Sequence, residues 1–191
     1  MNKVICIDGP AASGKSTVSK LIAEMSNIKY VDSGALYRIA TWQALEAGID
    51  TNDAEAVAKF ITSLKVDFVV KGNRVAYEVN GEEPGDKIRT PEINKHVSPV
   101  SAVPEVRTIV TKWLRDMRSI GDIVVEGRDI GSVVYPDSPY RFYLDADAET
   151  RTRRRHKEDI QKGFIQNEEQ VKASLLNRDK IDSSRKTAPL K

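Results

Sequence analysis

Gly9-Pro10-Ala11-Ala12-Ser13-Gly14-Lys15-Ser16 follows an apolar run, Val4-Ile5-Cys6-Ile7, and leads into a helix-like segment from Thr17 to Met25. The spacing is G-x-x-x-x-G-K-[ST] between a strand and a helix, the setting in which that pattern builds a phosphate-binding loop. Gly9 and Gly14 let the chain turn tightly and aim successive N–H groups inward at a helix N-terminus. Residues 9 to 17, from Gly9 through Pro10, Ala11, Ala12, Ser13, Gly14, Lys15 and Ser16 to Thr17, are therefore expected to cradle the polyphosphate of ATP or GTP. Lys15 adds a point charge on the β and γ oxygens. Ser16 offers its hydroxyl to a Mg²⁺ ion that arrives with the nucleotide. A glycine-rich turn that merely caps a helix is the plainer alternative, and the agreement of the spacing with both flanks argues against it.

Composition narrows what surrounds this loop. A chain of 191 residues suits one α/β domain with a small insertion and is long enough for a substantial core. Its 30 basic and 28 acidic side chains leave a net charge of +2, so any cationic function must be local rather than global. One cysteine excludes an internal disulfide, and Cys6, in the first strand, reads as a small core residue. With two histidines and that one cysteine, no protein-only metal cluster is expected. The first strand starts at Lys3, leaving no room for a signal peptide, and no apolar run approaches the ~18 residues of a membrane span. The expectation is a cytoplasmic protein, with no membrane partner.

Taken in order, Lys29-Tyr30-Val31 is a short strand, and Asp32-Ser33 caps a helix from about Gly34 to Ala47 that Gly48 closes. Asn52 with Glu55 resembles a capping box, opening a helix that ends near Leu64. From Lys65 the period changes to alternation: Val66, Phe68 and Val70, a turn at Gly72-Asn73, a run from Val75 to Val79, and a hairpin signal at Asn80-Gly81. A β-meander interrupting a βα series suggests a small inserted subdomain rather than part of the parallel sheet. Pro91 and Pro104 each stand at a first helical position, the second helix running to about Arg118. Ile123-Val124-Val125 is a buried strand whose carboxyl end delivers Glu126-Gly127-Arg128-Asp129-Ile130-Gly131, where ligands of open α/β sheets bind. A strand from Arg141 to Leu144, a cap at Asp145-Ala146-Asp147 and an arginine-rich helix ending at Gly163 follow. A last helix covers about Glu168 to Lys180, and the tail Asp182-Ser183-Ser184-Arg185 is irregular.

Arginine-bearing segments converge on the expected cleft: Arg38, Arg107, Arg128 beside Asp129, the run Arg151 to Arg155, then Arg178 and Arg185. Such a set suits phosphoryl transfer, where two anions must meet and charge spreads over the moving oxygens. A phosphate acceptor has a second pKa near ~6 and is mostly dianionic at neutral pH, so it needs cations more than a general base. An alcohol kinase would use a carboxylate instead, and Asp32 or Asp129 could serve. Arg151, Arg154 and Arg155 share a helix face; the reading favoured is a closing lid, against a solvated basic helix or a nucleic-acid patch. Asn94-Lys95-His96-Val97 is not the guanine-reading N-K-x-D. His96 and His156 show no partner in sequence and read as surface residues.

These residues resemble the bacterial cytidylate kinases, a family of nucleoside monophosphate kinases, from the first strand to residue 191. The resemblance is carried by Ile7-Asp8-Gly9-Pro10 with the phosphate loop, Asp32-Ser33-Gly34-Ala35-Leu36-Tyr37-Arg38, Glu126-Gly127-Arg128-Asp129-Ile130-Gly131, and the Arg178-Asp179, Asp182, Arg185 series ending in Ala188-Pro189-Leu190. It implies a single P-loop NTPase-type domain, a three-layer αβα fold with a central parallel sheet, a meander insertion within a monophosphate-binding region at about 33–118, and a helical lid at about 148–168. It implies transfer of the ATP γ-phosphoryl to CMP or dCMP, with Mg²⁺ as cofactor, by a monomer that does not engage nucleic acid. Ser98, Arg107 and Asp129 would read cytosine, and Ser33 and Tyr37 would line the acceptor pocket. Arg38, Arg128 and Arg185 would hold its phosphate, Arg178 and Asp182 would meet the sugar, and Lys15, Arg128, Arg151, Arg154 and Arg155 would act on the transferring group. Cytosine offers an amino donor where uracil offers an acceptor, so a carboxylate at Asp129 separates them by roughly 1–3 kcal/mol. The family pattern continues past Leu190 for about one more strand and helix, which this chain is expected to lack.

Overall fold

A computed structural model describes residues 2–165, 167–185 and 187–190. Its centre is a six-stranded sheet of order β3-β4-β2-β5-β1-β6, formed by β1 (Val4–Asp8), β2 (Lys29–Asp32), β3 (Asp67–Lys71), β4 (Arg74–Glu78), β5 (Ile123–Gly127) and β6 (Tyr140–Tyr143). All pairings are parallel except β3 with β4. The alternation of each strand divides the core in two. Val4, Cys6, Val31, Ile123 and Val125 face one side, under α2 (Ser33–Glu46), α3 (Ala54–Ile61), α4 (Pro91–Ala102) and α5 (Pro104–Asp116). Ile7, Tyr30 and Val124 face the other, where Ala23 of α1 (Lys15–Ser26) covers them. This is the expected three-layer α/β arrangement. Cys6 is fully buried, and that burial pushes its thiol up to about 12, as a core residue requires. No described helix is long and apolar enough to cross a membrane.

Helix boundaries follow their caps. Asp32 accepts from Ala35 N at the start of α2, and Thr90 accepts from Ile93 N ahead of Pro91. The capping box expected at Asn52 does not form. Asp53 takes that position, accepting from Glu55 N and Ala56 N, while Asn52 turns to Asp50; α3 then ends at Ile61.

Two expectations about topology are corrected. The insertion is not separate from the sheet: Tyr30 N donates to Asn73 O at 2.8 Å and pairs β2 with β4, making the hairpin the sheet's edge. Val75, Tyr77 and Val79 join the main core, and the Tyr77 hydroxyl donates to Asp32 O, so the hairpin is anchored by burial as well as by the ladder. The Asn80-Gly81 turn closes only a bridge between Val79 and Glu82, not a third strand. Near the other end, α7 (Glu168–Ser184) absorbs Asp182, Ser183 and Ser184, which sequence left irregular. Asp182 there meets Arg128 and Arg185, and those ion pairs favour the added turn. Helix α6 (Ala148–Gln161) lies where the lid is expected.

Candidate active site

Strand register sets the site. Asp8 is level with Gly127 and Asp32 with Glu126, so the phosphate loop after β1, the Arg128-Asp129 loop after β5 and the start of α2 leave the sheet at one edge. Gly9 has φ +148°, and a Cβ there would stand 2.0 Å from Leu144 O, so only glycine fits between this loop and the end of β6. Ala12 also holds a positive φ of 59°, a strain of the kind that gathers in ligand-binding loops.

Lys15 is buried, its Nζ donating to Pro10 O at 2.6 Å and lying 3.4 Å from Ser13 Oγ. Burial first, then the nearby Arg128 charge, pulls its ammonium down to about 6. Ser16 lines the same cavity as Glu126, whose buried carboxyl is held up by desolvation and then by Asp32, and which accepts from the Tyr30 hydroxyl. Arg154, exposed on α6, donates to Ser13 O at 3.0 Å and lines the cavity on the outer side of the phosphate loop with Thr17.

Every residue expected to meet the acceptor except Ser98 lines a second cavity, which also takes in Lys15 and Ser16. Arg107 forms a close ion pair with Asp129, and its guanidinium sits 5.2 Å over the Tyr37 ring. Arg185 lies 3.6 Å from Asp129 and 3.3 Å from Asp182, and Arg128 Nε lies 3.2 Å from the other Asp182 oxygen. Arg38 donates to Asn94 Oδ1 at 2.7 Å; burial, then Arg178 and Arg155, holds it well below its ordinary pKa. Arg178 is lowered to about 10 by burial and then by Arg128. Cations compressed to this degree mark a cavity suited to an anion. Ser33 donates to Glu126 O at 2.6 Å, pinning α2 to β5.

Two expected residues stand elsewhere. Ser98 is buried and lines the adjoining cavity between α4 and α7, while Ser101, one turn on, lines the acceptor cavity and receives Arg107 Nη1 at its carbonyl. Arg151 is tied down: Nη1 lies 2.6 Å from Asp179 and 3.3 Å from Ala11 O, and Nε donates to Ala146 O. It braces α6 and α7 against the phosphate loop and reaches neither cavity. Arg155, held by Glu158 and Asp159, does line the acceptor cavity. His96 is half-buried against Thr51, with Nδ1 2.7 Å from Oγ1, rather than at the surface.

Sequence reasoning passed over Arg89, which pairs with Asp32 at 2.8 Å and is the arginine that lines both cavities. It gave no role to Glu126, although that residue begins the quoted Glu126-Gly127-Arg128-Asp129 stretch. The two carboxylates that an alcohol kinase would use as base are both engaged. Asp32 caps α2 and holds Arg89, and Asp129 lies between Arg107 and Arg185.

A phosphate loop at the end of β1 of a mostly parallel sheet, facing an arginine-lined second cavity, defines a P-loop nucleotide kinase. More narrowly, the chain belongs to the cytidylate kinase family, whose model matches residues 5–191. It is 44% identical to the cytidylate kinase of Mycolicibacterium paratuberculosis (strain ATCC BAA-968 / K-10), over 98% of this chain and 83% of that protein. It is 41% identical to that of Clostridioides difficile (strain 630), over 99% and 86%, and 40% identical to that of Bacillus thuringiensis (strain Al Hakam), over 98% and 83%.

Proposed function

We propose that this chain transfers the γ-phosphoryl group of ATP in line to the phosphate of CMP or dCMP, giving ADP and CDP or dCDP. The observation that carries the reading is a set of buried atoms in the acceptor cavity short of hydrogen bonds: the Tyr37 hydroxyl and Arg107 Nε have no hydrogen-bond partner, and Arg178 Nε and Arg185 Nη2 reach their carboxylates, Asp182 and Asp129, only at 3.9 and 3.6 Å. Buried polar atoms are ordinarily satisfied, so their concentration beside the phosphate loop suits a polyanionic nucleotide.

Residues 9 to 17 hold the donor's phosphates, with Arg154 over them and Arg155 on the acceptor side. Arg38, Arg128 and Arg185 hold the acceptor phosphate, Arg178 and Asp182 its sugar, and Ser33 and Tyr37 shape the pocket. Asp129 accepts from the cytosine amino group while Arg107 orients it; Ser101 stands nearer this place than Ser98. The acceptor is already a nucleophile at neutral pH, so no base is required. The arginines supply what it lacks, relief from repulsion by the triphosphate, and Lys15 meets charge as it develops.

No described group of three or more His, Cys, Asp or Glu forms a metal cage. One hydroxyl and two carboxylates, Ser16 with Glu126 and Asp32, fit a Mg²⁺ ion that keeps most of its waters and arrives with ATP. Bound there, Mg²⁺ would neutralise charge on the donor phosphates. The reading includes action as a cytoplasmic monomer on small molecules.

The test is coupled ADP release across CMP, dCMP, UMP, AMP and GMP. Fast release with CMP and dCMP and slow release with UMP is expected. A preference for AMP or GMP, or release only with an alcohol acceptor, would sink the reading.

A further inference from the structure

We infer that Asp8 is a positioning residue for base selection: it caps the turn after β5, and so frees the Asp129 carboxylate to face the acceptor. The inference rests on the reading above, in which Asp129 meets the cytosine amino group. An aspartate at the start of a helical segment normally spends its side chain on the first free N–H groups of that segment. Asp32, Asp53 and Asp147 all do so in this protein, accepting from Ala35 N, from Glu55 N and Ala56 N, and from Thr150 N.

Asp129 stands at the same position before the turn Ile130–Val134, yet its side chain makes no cap. Asp8, far away in sequence, takes over both donors: Ile130 N gives to Oδ1 and Gly131 N to Oδ2, each at 2.8 Å. The Asp129 carboxylate is then available to Arg107 and Arg185 at the cavity wall. Asp8 is itself fixed by its place on β1, level with Gly127, and by Leu144 N, which donates to its carbonyl at 2.8 Å. Since Asp8 directly precedes Gly9, one residue sets both the root of the donor loop and the aim of the base selector.

Asp8→Asn tests this. An amide offers one acceptor and turns an N–H toward the second donor, leaving that buried backbone group unpaired and inviting Asp129 back to cap its own turn. The ratio of kcat/KM for CMP over UMP should fall on the order of tenfold, with KM for CMP raised and KM for ATP nearly unchanged. Asp8→Glu, which keeps both acceptor oxygens, should recover part of the lost ratio. In Asp129→Ala the ratio falls by itself, and adding Asp8→Asn to it should cause no further fall, because the first residue acts through the second.

An unchanged ratio in Asp8→Asn alongside a fall in Asp129→Ala overturns the positioning role and leaves the functional reading intact. A further fall in the double variant overturns it as well, since Asp8 then acts independently. If neither Asp8 variant melts cooperatively, Asp8 supports the fold itself and the inference is wrong. An unchanged ratio in Asp129→Ala removes the base-reading role, and the role of Asp8 with it.

Discussion

Replacing Lys15 with Met removes an amine whose charge is penalised by burial in the free protein. Burial, and then Arg128, pulls its ammonium to about 6, against ~10.4 for an ordinary lysine. At pH ~8 Lys15 should therefore be mostly neutral in the free protein, whereas a bound triphosphate restores the charge. ATP binding at pH ~8, where phosphates are already ionised, should take up about one proton per site. At pH ~5 most Lys15 is charged beforehand and takes up little, while a phosphate protonated in solution sheds its proton on binding, so net uptake should disappear. The same shift acts on stability. Between about 6 in the folded chain and ~10.4 in the unfolded one, the unfolded state binds the extra proton, so stability rises with pH by up to ~1.4 kcal/mol per unit. Lys15→Met should lose that slope and melt above the parent at neutral pH, although turnover drops roughly 100-fold or more. Calorimetric titration in buffers of different ionisation enthalpy, with melting curves across the same pH window, measures both effects. If ATP binds at pH ~8 without proton uptake, or if the variant keeps the parent's slope, Lys15 is already charged in the free protein and the reasoning fails.

Arg151 and Arg154 sit one helical turn apart and should fail differently. Arg151→Met leaves Asp179 without its 2.6 Å partner and should cost roughly 3 kcal/mol, read as a lower denaturant midpoint at unchanged slope; a variant of full stability with collapsed turnover would put Arg151 in the reaction. Arg154→Ala removes an exposed side chain that touches the loop at Ser13 O, so turnover should drop about 100-fold while the Kd for CMP holds. Equal loss of CMP affinity would move Arg154 to the acceptor side.

What sequence made legible was whatever is local or periodic. The phosphate loop needs only its own spacing and flanks. The delivery of Arg128 and Asp129 to the same edge follows from the buried strand Ile123-Val124-Val125, whose carboxyl end leads into them. What stayed hidden depends on partners distant in sequence. The Asp8 clamp joins residues 122 and 123 positions apart, and no periodicity reports such a pair. Arg151 shares a helix face with Arg154 and Arg155, and helical spacing cannot tell that Asp179 of α7 takes it out of the cleft. The hairpin's place at the sheet edge depends on a backbone bond from Tyr30 to Asn73. Alternation predicted the strands, and only tertiary packing chose their neighbour.

The carboxylates of the acceptor cavity explain how so many cations can be buried together. Uncompensated, several guanidinium groups around one small space would repel one another and oppose folding. Asp129 and Asp182 stand between them, Asp129 touching Arg107 and Arg185, Asp182 touching Arg128, Arg178 and Arg185. Each arginine retains further N–H groups beyond these pairs, because a guanidinium carries five donors and a carboxylate in this geometry uses one or two. The counter-charges therefore stabilise the folded cavity without exhausting its capacity for phosphate. They also fix the guanidinium positions in advance, so an arriving nucleotide does not have to order long flexible side chains, and more of its binding energy remains for bringing the two phosphates together. In this arrangement the acidic residues make the basic ones usable, and Asp129, proposed above to select the base, is the same aspartate that keeps two of the arginines in place.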